Sequence, residues 1–178
     1  MLKILAIVAG VIVVALGGVL AYATTKPDVF RVERSITVNA PPEKIHPLIN
    51  DFRAWRDWSP YEDREPDLKR TYSQPASGKG AVYSWDGEKM GAGRMEILDA
   101  PAPSRVTIKL DFYRPFEASN TAEFVMAPSS GGTRVTWAMS GPNMYIGKVM
   151  SVFMDIDKMV GTDFEVGLQK LKERAERS

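Results

Sequence analysis

The chain has one histidine, His46, and no cysteine, so few of its side chains suit ordinary catalysis or metal binding. A zinc site draws on several such ligands, and His46 stands alone ahead of Pro47. It reads as a helix histidine, exposed or half-buried. A hydrolytic triad meets the same obstacle, and no G-x-S-x-G is present. Glu62, Asp63, Glu65 and Asp67 form an acidic cluster that could attract a hard cation. It lacks EF-hand spacing, and the interleaved Arg64 and Lys69 point to a solvated loop. Two glycine stretches fail as nucleotide cradles. In "SGKG", Ser73 stands where a P-loop needs its first glycine and Gly80 where it needs Ser or Thr. "GAGRME" ends in Glu96 where a dinucleotide fingerprint needs Gly or Ala. Both read as turns or strand kinks.

What remains is aromatic. Residues 54–61, "AWRDWSPY", place Trp55 and Trp58 three apart among charged neighbours. On a helix that spacing gives one shared face. The two rings can then close one end of a core while Arg56 and Asp57 meet water. Such pairs are core before they are anything else, and a ligand-lining role is compatible with that one.

The elements that must position these residues follow from periodicity. Residues 31–38 alternate and are β-branched, the pattern of a first strand. "PPEKIHPLI" opens a helix with proline at its start, and "DFRAWRDW" makes a second short helix that Pro60 ends. Strand signals recur over 68–73, 81–85, 93–98, 105–112, 118–126 and 133–140, with turn residues between them. The close spacing predicts an antiparallel meander. Ile146, Val149, Phe153, Ile156, Val160, Phe164, Gly167 and Leu171 then repeat at steps of three and four, which predicts one long amphipathic helix. A further seven-residue repeat, Val152, Met159 and Val166, lies off that stripe. It is expected under a loop, or on a weak contact surface if the protein is an interaction module.

Residues 4–25 carry no charged side chain. About 20 apolar residues suffice for a helix to cross a hydrocarbon core ~30 Å thick. "AYA" at 21–23 fits a signal-peptidase pattern, but the run exceeds the usual signal core of about 7–15 residues. An uncleaved single-pass anchor through residues 4–22 is therefore the expectation. Lys3 before the run and Lys26, Arg31 and Arg34 after it nearly balance the charge rule for orientation. A short basic N-terminus that stays inside would send the domain across the membrane, and a cytoplasmic domain is the alternative. The expected organisation is an anchor or signal sequence at 1–23, a linker at 24–30 and one domain at 31–176. The chain carries 23 Lys and Arg against 22 Asp and Glu, and Lys3 precedes the apolar run. No basic patch dominates, and nucleic acid is not an expected partner.

A sheet wrapped on one apolar-striped helix, with short helices at its end, leaves room for a cavity. Strand parity selects its lining. Tyr83, Trp85, Met95, Phe112, Phe124 and Trp137 point inward, and Phe153 and Phe164 face them from the helix. With Trp58 these are the proposed ligand contacts. Among titratable groups, inward parity singles out Tyr83, Arg34 and Arg70, and the arginines are expected to reach water at strand ends. So apolar an interior favours binding over acid–base catalysis. Neither a cofactor nor a metal is expected.

The order and spacing of "RSITVNAPPEKIHPLINDFRAWRDWSPY", "GKGAVYSWDGEKMGAGRMEI", "TWAMSG" and "DFEVGLQKLK" resemble the START-like (SRPBCC) superfamily. The resemblance covers about residues 31–172 and lies with the polyketide cyclase/dehydrase and lipid-transport families. It implies an α+β helix-grip fold: a curved antiparallel sheet of about seven strands round a long C-terminal helix, here preceded by a transmembrane helix. It also implies an internal cavity for a hydrophobic or amphipathic small molecule or lipid. A polyketide cyclase or dehydratase working in the same cavity, with Tyr83 or an arginine polarising a carbonyl, is the alternative within the family. A protein-interaction module with a filled core is the alternative outside it.

Overall fold

A computed structural model describes residues 1–177, apart from the Leu2 side chain. Helix α1, Leu2–Thr24, is followed by strand β1, Val29–Val38, and helix α2, Pro42–Asn50. A short 3-10 helix, Ala54–Asp57, leads into six strands: β2 Lys69–Tyr72, β3 Val82–Asp86, β4 Ala92–Asp99, β5 Arg105–Arg114, β6 Ala118–Ser129 and β7 Gly132–Pro142. Two helices close the chain, α3 Tyr145–Phe153 and α4 Ile156–Glu176. Among the described residues the strands form one seven-stranded antiparallel sheet in the order β1-β7-β6-β5-β4-β3-β2. Six strands follow one another as a meander, and β1 joins its far edge by pairing Val29 with Pro142 and Val38 with Thr133.

Alternation gives the sheet one apolar face, and α4 lies against it. Phe164, Leu168 and Leu171 are buried there with Val106, Ile108, Phe124 and Val135. The two ends of this assembly differ. At the end where β1 finishes, α2 and the 3-10 helix cover the core, with α2 packed on β5, β6 and α4. At the other end β1 begins, β7 and β5 finish, and α1 and α3 pack together.

Instead of one long helix, the chain breaks at Met154, whose backbone is extended. Asp155 then starts α4 by accepting the Lys158 amide at 2.9 Å. An aspartate at this position satisfies an otherwise orphaned helix N–H, which stabilises a fresh start over continuation of α3. The apolar period runs through the break and conceals it. Val152 consequently belongs to α3, while Met159 and Val166 lie exposed on α4 and not under a loop.

Helix α1 is apolar after Lys3 and long enough to cross a membrane; a signal sequence has the same length and composition. The rest of the chain leaves it uncovered except near its C-terminal end, where Ala23 is buried and α3 packs. β1 begins at Val29, inside the stretch expected to be linker.

Candidate functional site

A cavity of about 250 Å³ lies between the sheet and the N-terminal half of α4. Its floor is aromatic. Trp137 stacks on Phe164 with ring centroids 4.0 Å apart, and Trp55 meets Trp137 edge-on at 6.3 Å. The walls are Tyr83 and Trp85 from β3, Met95 from β4, Leu110 and Phe112 from β5, Ala122 from β6, Met139 from β7 and Val160 from α4. Leu68 and Met90 close the side. Gly93 allows Trp85 to lie flat in this wall, since a Cβ there would fall 2.3 Å from the Trp85 ring and 2.6 Å from the Asp111 carbonyl oxygen.

Of the residues that sequence selected, Tyr83, Trp85, Met95, Phe112, Trp137 and Phe164 come together on this lining. Three do not. Trp58 is fully buried one layer below, donating its indole N–H to the Leu48 carbonyl at 2.9 Å. The 3-10 turn brings positions i and i+3 into register, and Trp55 lies 4.7 Å from Trp58 and takes the cavity side. Phe124 is covered by Trp55, Trp58 and Trp137. Phe153 is 71% exposed, because the break at Met154 places it at the end of α3.

Sequence reasoning also missed the polar side of the cavity. Ser59, Tyr61 and Glu62 line it from the segment after the 3-10 helix, and Asp163 does so from α4. Glu62 is not solvated: its side chain is 8% exposed and that of its partner Arg70 is 11%. Arg70 Nε donates to Glu62 Oε2 at 2.6 Å, and the Tyr83 hydroxyl donates to Glu62 Oε1 at 2.8 Å. Burial, reinforced by the Glu62 carboxylate, pushes the Tyr83 phenol well above its ordinary range. Tyr83 therefore stays protonated and acts as a donor. Tyr61 is pushed up as well, mainly by burial and then by Asp163. Loop residues have no period, so only the combination of Arg70 and Tyr83 at inward parity could have signalled a buried acid nearby.

The rest of the acidic cluster is structural. Glu65 accepts the backbone amides of Glu88, Lys89 and Met90 at 2.8, 3.2 and 2.9 Å. These bonds, that of Met90 foremost, hold its carboxyl below the usual carboxylate range. Asp63 pairs with Lys170. Among the described residues no group of three or more His, Cys, Asp or Glu is placed to hold a metal ion.

Two other expectations need correction. Arg34 does not escape to water at a strand end. It crosses to α4 and pairs with Asp157 at 2.8 Å and Glu165 at 2.9 Å. Its guanidinium rests on Gly161, where a Cβ would fall 2.0 Å from Nη2. His46 is buried on α2 and does not line the cavity, and burial lowers its pKa from the ordinary 6.5.

The family model for polyketide cyclase/dehydrase and lipid transport proteins matches residues 29–176. The chain belongs to that family. Among curated proteins, none matches it in sequence. Solved structures share its fold at low identity. Protein CV1439 from Chromobacterium violaceum is 16% identical with a TM-score of 0.59, over 85% of this chain and 99% of that one. Protein MLL2253 from Mesorhizobium loti is 14% identical with a TM-score of 0.62, over 84% and 98%. The di-domain ARO/CYC protein StfQ, from the steffimycin biosynthetic pathway, is 13% identical with a TM-score of 0.63; the match covers 84% of this chain and 51% of StfQ. At these identities the likeness speaks for the helix-grip fold alone.

Proposed function

We propose that this family member is a membrane-tethered binding protein whose cavity, between the sheet and α4, holds a hydrophobic or amphipathic small molecule or lipid. The composition of the cavity wall carries the reading. Aromatic and aliphatic side chains make up most of it, and the polar groups collect on one side, at Ser59, Tyr61, Glu62, Tyr83 and Asp163. Trp137, on the floor, is a further candidate, because its buried indole N–H has no acceptor among the described residues. An apolar body with an oxygen-bearing end suits such a wall, where a few polar groups fix orientation. In this reading residues 1–23 anchor the chain, 24–30 tether it and 31–176 bind. The apolar length of α1 supports the anchor. Lys3 before it and Lys26, Arg31 and Arg34 after it nearly balance the charge rule, and the extracytoplasmic placement rests on the short N-terminus staying inside.

The buried Glu62–Tyr83 pair favours a second reading, a cyclase or dehydratase working in the same space. A phenol held protonated can polarise a substrate carbonyl, provided that its single O–H, here donated to Glu62, turns to the substrate.

Native mass spectrometry of the full chain extracted gently from its source membranes tests the first reading. A retained stoichiometric adduct is expected, and Ala122→Phe, which fills the cavity, should remove it. Repeated adduct-free spectra of the unaltered chain would refute the binding reading. The enzyme reading requires turnover of the bound compound that Tyr83→Phe abolishes while affinity changes less than about tenfold.

A further inference from the structure

Most of the domain's large exposed apolar side chains gather at one end. On α3, Ile146 is 64% exposed and Phe153 71%, with Met150 between them; Phe116, in the β5–β6 turn, reaches 73%. Antiparallel register puts these residues together at the end where β1 begins and α1 arrives. Val29 pairs with Pro142 just before α3, and Phe112 pairs with Ala118 beside the Phe116 turn.

This is also the open end of the cavity. Along β5 the inward residues pass from buried Val106 and Ile108 to half-buried Leu110 and Phe112, and along β7 from buried Trp137 to half-buried Met139. The opposite end is covered by α2 and the 3-10 helix.

Helix α3 is fixed to the end of α1. The Tyr145 hydroxyl donates to the Leu20 carbonyl at 3.1 Å, in the last turns of α1. Asn143 donates its backbone amide to the Asp28 carbonyl at 2.8 Å and its side chain to the Pro27 carbonyl at 3.0 Å. The largely buried Lys148 pairs with Asp28. Lys26 turns back to Tyr22, its Nζ donating to the Tyr22 hydroxyl at 3.4 Å, so Tyr22, Lys26 and Tyr145 gather round the last turns of α1. Tyrosine and lysine favour the boundary between lipid and water.

We propose that α3 and the Phe116 turn dock into the lipid bilayer, so that the cavity opens onto the membrane and its ligand passes between bilayer and cavity without crossing water. The proposal rests on the reading of α1 as an anchor. If Leu20 lies at the membrane boundary, the Tyr145 bond sets α3 at the same depth, and Ile146, Met150 and Phe153 lie where an interfacial helix buries its apolar face.

The cysteine-free sequence suits spin labelling. The full chain, carrying Ile146→Cys, Phe153→Cys, Val11→Cys or Ser130→Cys one at a time, is reconstituted in phosphatidylcholine/phosphatidylglycerol nanodiscs. Collision with lipid-soluble oxygen is then compared with collision with a water-soluble nickel chelate. Val11 reports on the anchor, and Ser130, in the β6–β7 turn at the far end, reports on water. The expected result is an oxygen-to-nickel ratio at Ile146 and Phe153 several-fold above that at Ser130 and closer to that at Val11. Ratios at Ser130's level, with Val11 deep in lipid, overturn the proposal and leave the anchor standing. A Val11 ratio at Ser130's level overturns both. Dipolar broadening between labels at Phe153, with low access to both reagents, would assign the face to a second copy and overturn the membrane proposal.

Discussion

The rings of Trp137 and Phe164 lie face to face, with centroids 4.0 Å apart and planes 8° from parallel. One comes from the middle of β7 and the other from α4, so this contact joins sheet to helix and forms the cavity floor. Phe164→Ala removes the upper half of the stack. Buried Phe→Ala changes cost about 3–5 kcal/mol where the core is solid, and less where a void already exists. Next to this cavity the loss is expected below that range, with binding shifted toward bulkier ligands. Denaturant unfolding and a ligand-length series measure the two effects.

Glu62 holds two partners at once, Arg70 and Tyr83. Glu62→Ala would leave a largely buried guanidinium and a buried phenol unpaired. Removing one partner of a buried ion pair is strongly destabilising, so a loss on the order of 3 kcal/mol is expected. A double variant, Glu62→Leu with Arg70→Met, should recover much of it, since no charge then remains unpaired. Equal destabilisation of the single and double variants would show that the loss does not come from a stranded Arg70 charge but from what both variants share, the Tyr83 hydroxyl left without Glu62.

The fold was readable because strand parity and helical period are carried by side chains such as Val106, Ile108, Val135 and Trp137, whose burial repeats. The same parity brought Tyr83, Trp85, Met95 and Phe112 to one surface. Where period was the only guide, it misled. Phe153 keeps the stripe of Val160 and Phe164, yet Asp155 caps a new helix and turns Phe153 outward. Trp55 and Trp58 share a face and both rings meet Phe124 and Trp137, so neither their spacing nor their partners tell which one borders the cavity. Only the fold shows Trp58 fully buried and Trp55 on the lining. Glu62 lies in a segment with no period, so its burial follows from Arg70 and Tyr83 and not from its own neighbours.

His46 gives the domain an acid-sensitive core. Burial lowers its folded pKa, while the unfolded chain takes up the proton as pH falls through about 6.5. Between those two values the unfolded state holds more protons, so stability falls as pH falls. The contribution is complete above about pH 7 and is lost toward the lowered folded value. His46→Gln should flatten stability over that window. Asp157 and Asp111, held low by hydrogen bonds from Arg34 and Ser119 respectively, act only in more acidic solution. An unchanged slope in denaturation midpoints from pH 7 to pH 5 would assign the sensitivity elsewhere.

Gly93 sets the size of the cavity from the opposite wall. Trp85 lies across it on the neighbouring strand, meets Phe112 edge-on at 5.7 Å and donates its indole N–H to the Met90 carbonyl at 3.3 Å. A methyl group at Gly93 would overlap the Trp85 ring and approach the Asp111 carbonyl oxygen, which belongs to the β5 backbone and cannot swing away. The ring must therefore move, and the empty side available to it is the cavity. Overpacking of this kind costs about 1–3 kcal/mol. Gly93→Ala should lower stability by that amount, shift Trp85 emission and exclude longer ligands, the opposite size preference to Phe164→Ala. If both substitutions shift ligand preference in the same direction, or neither shifts it, the two residues do not border a common binding space.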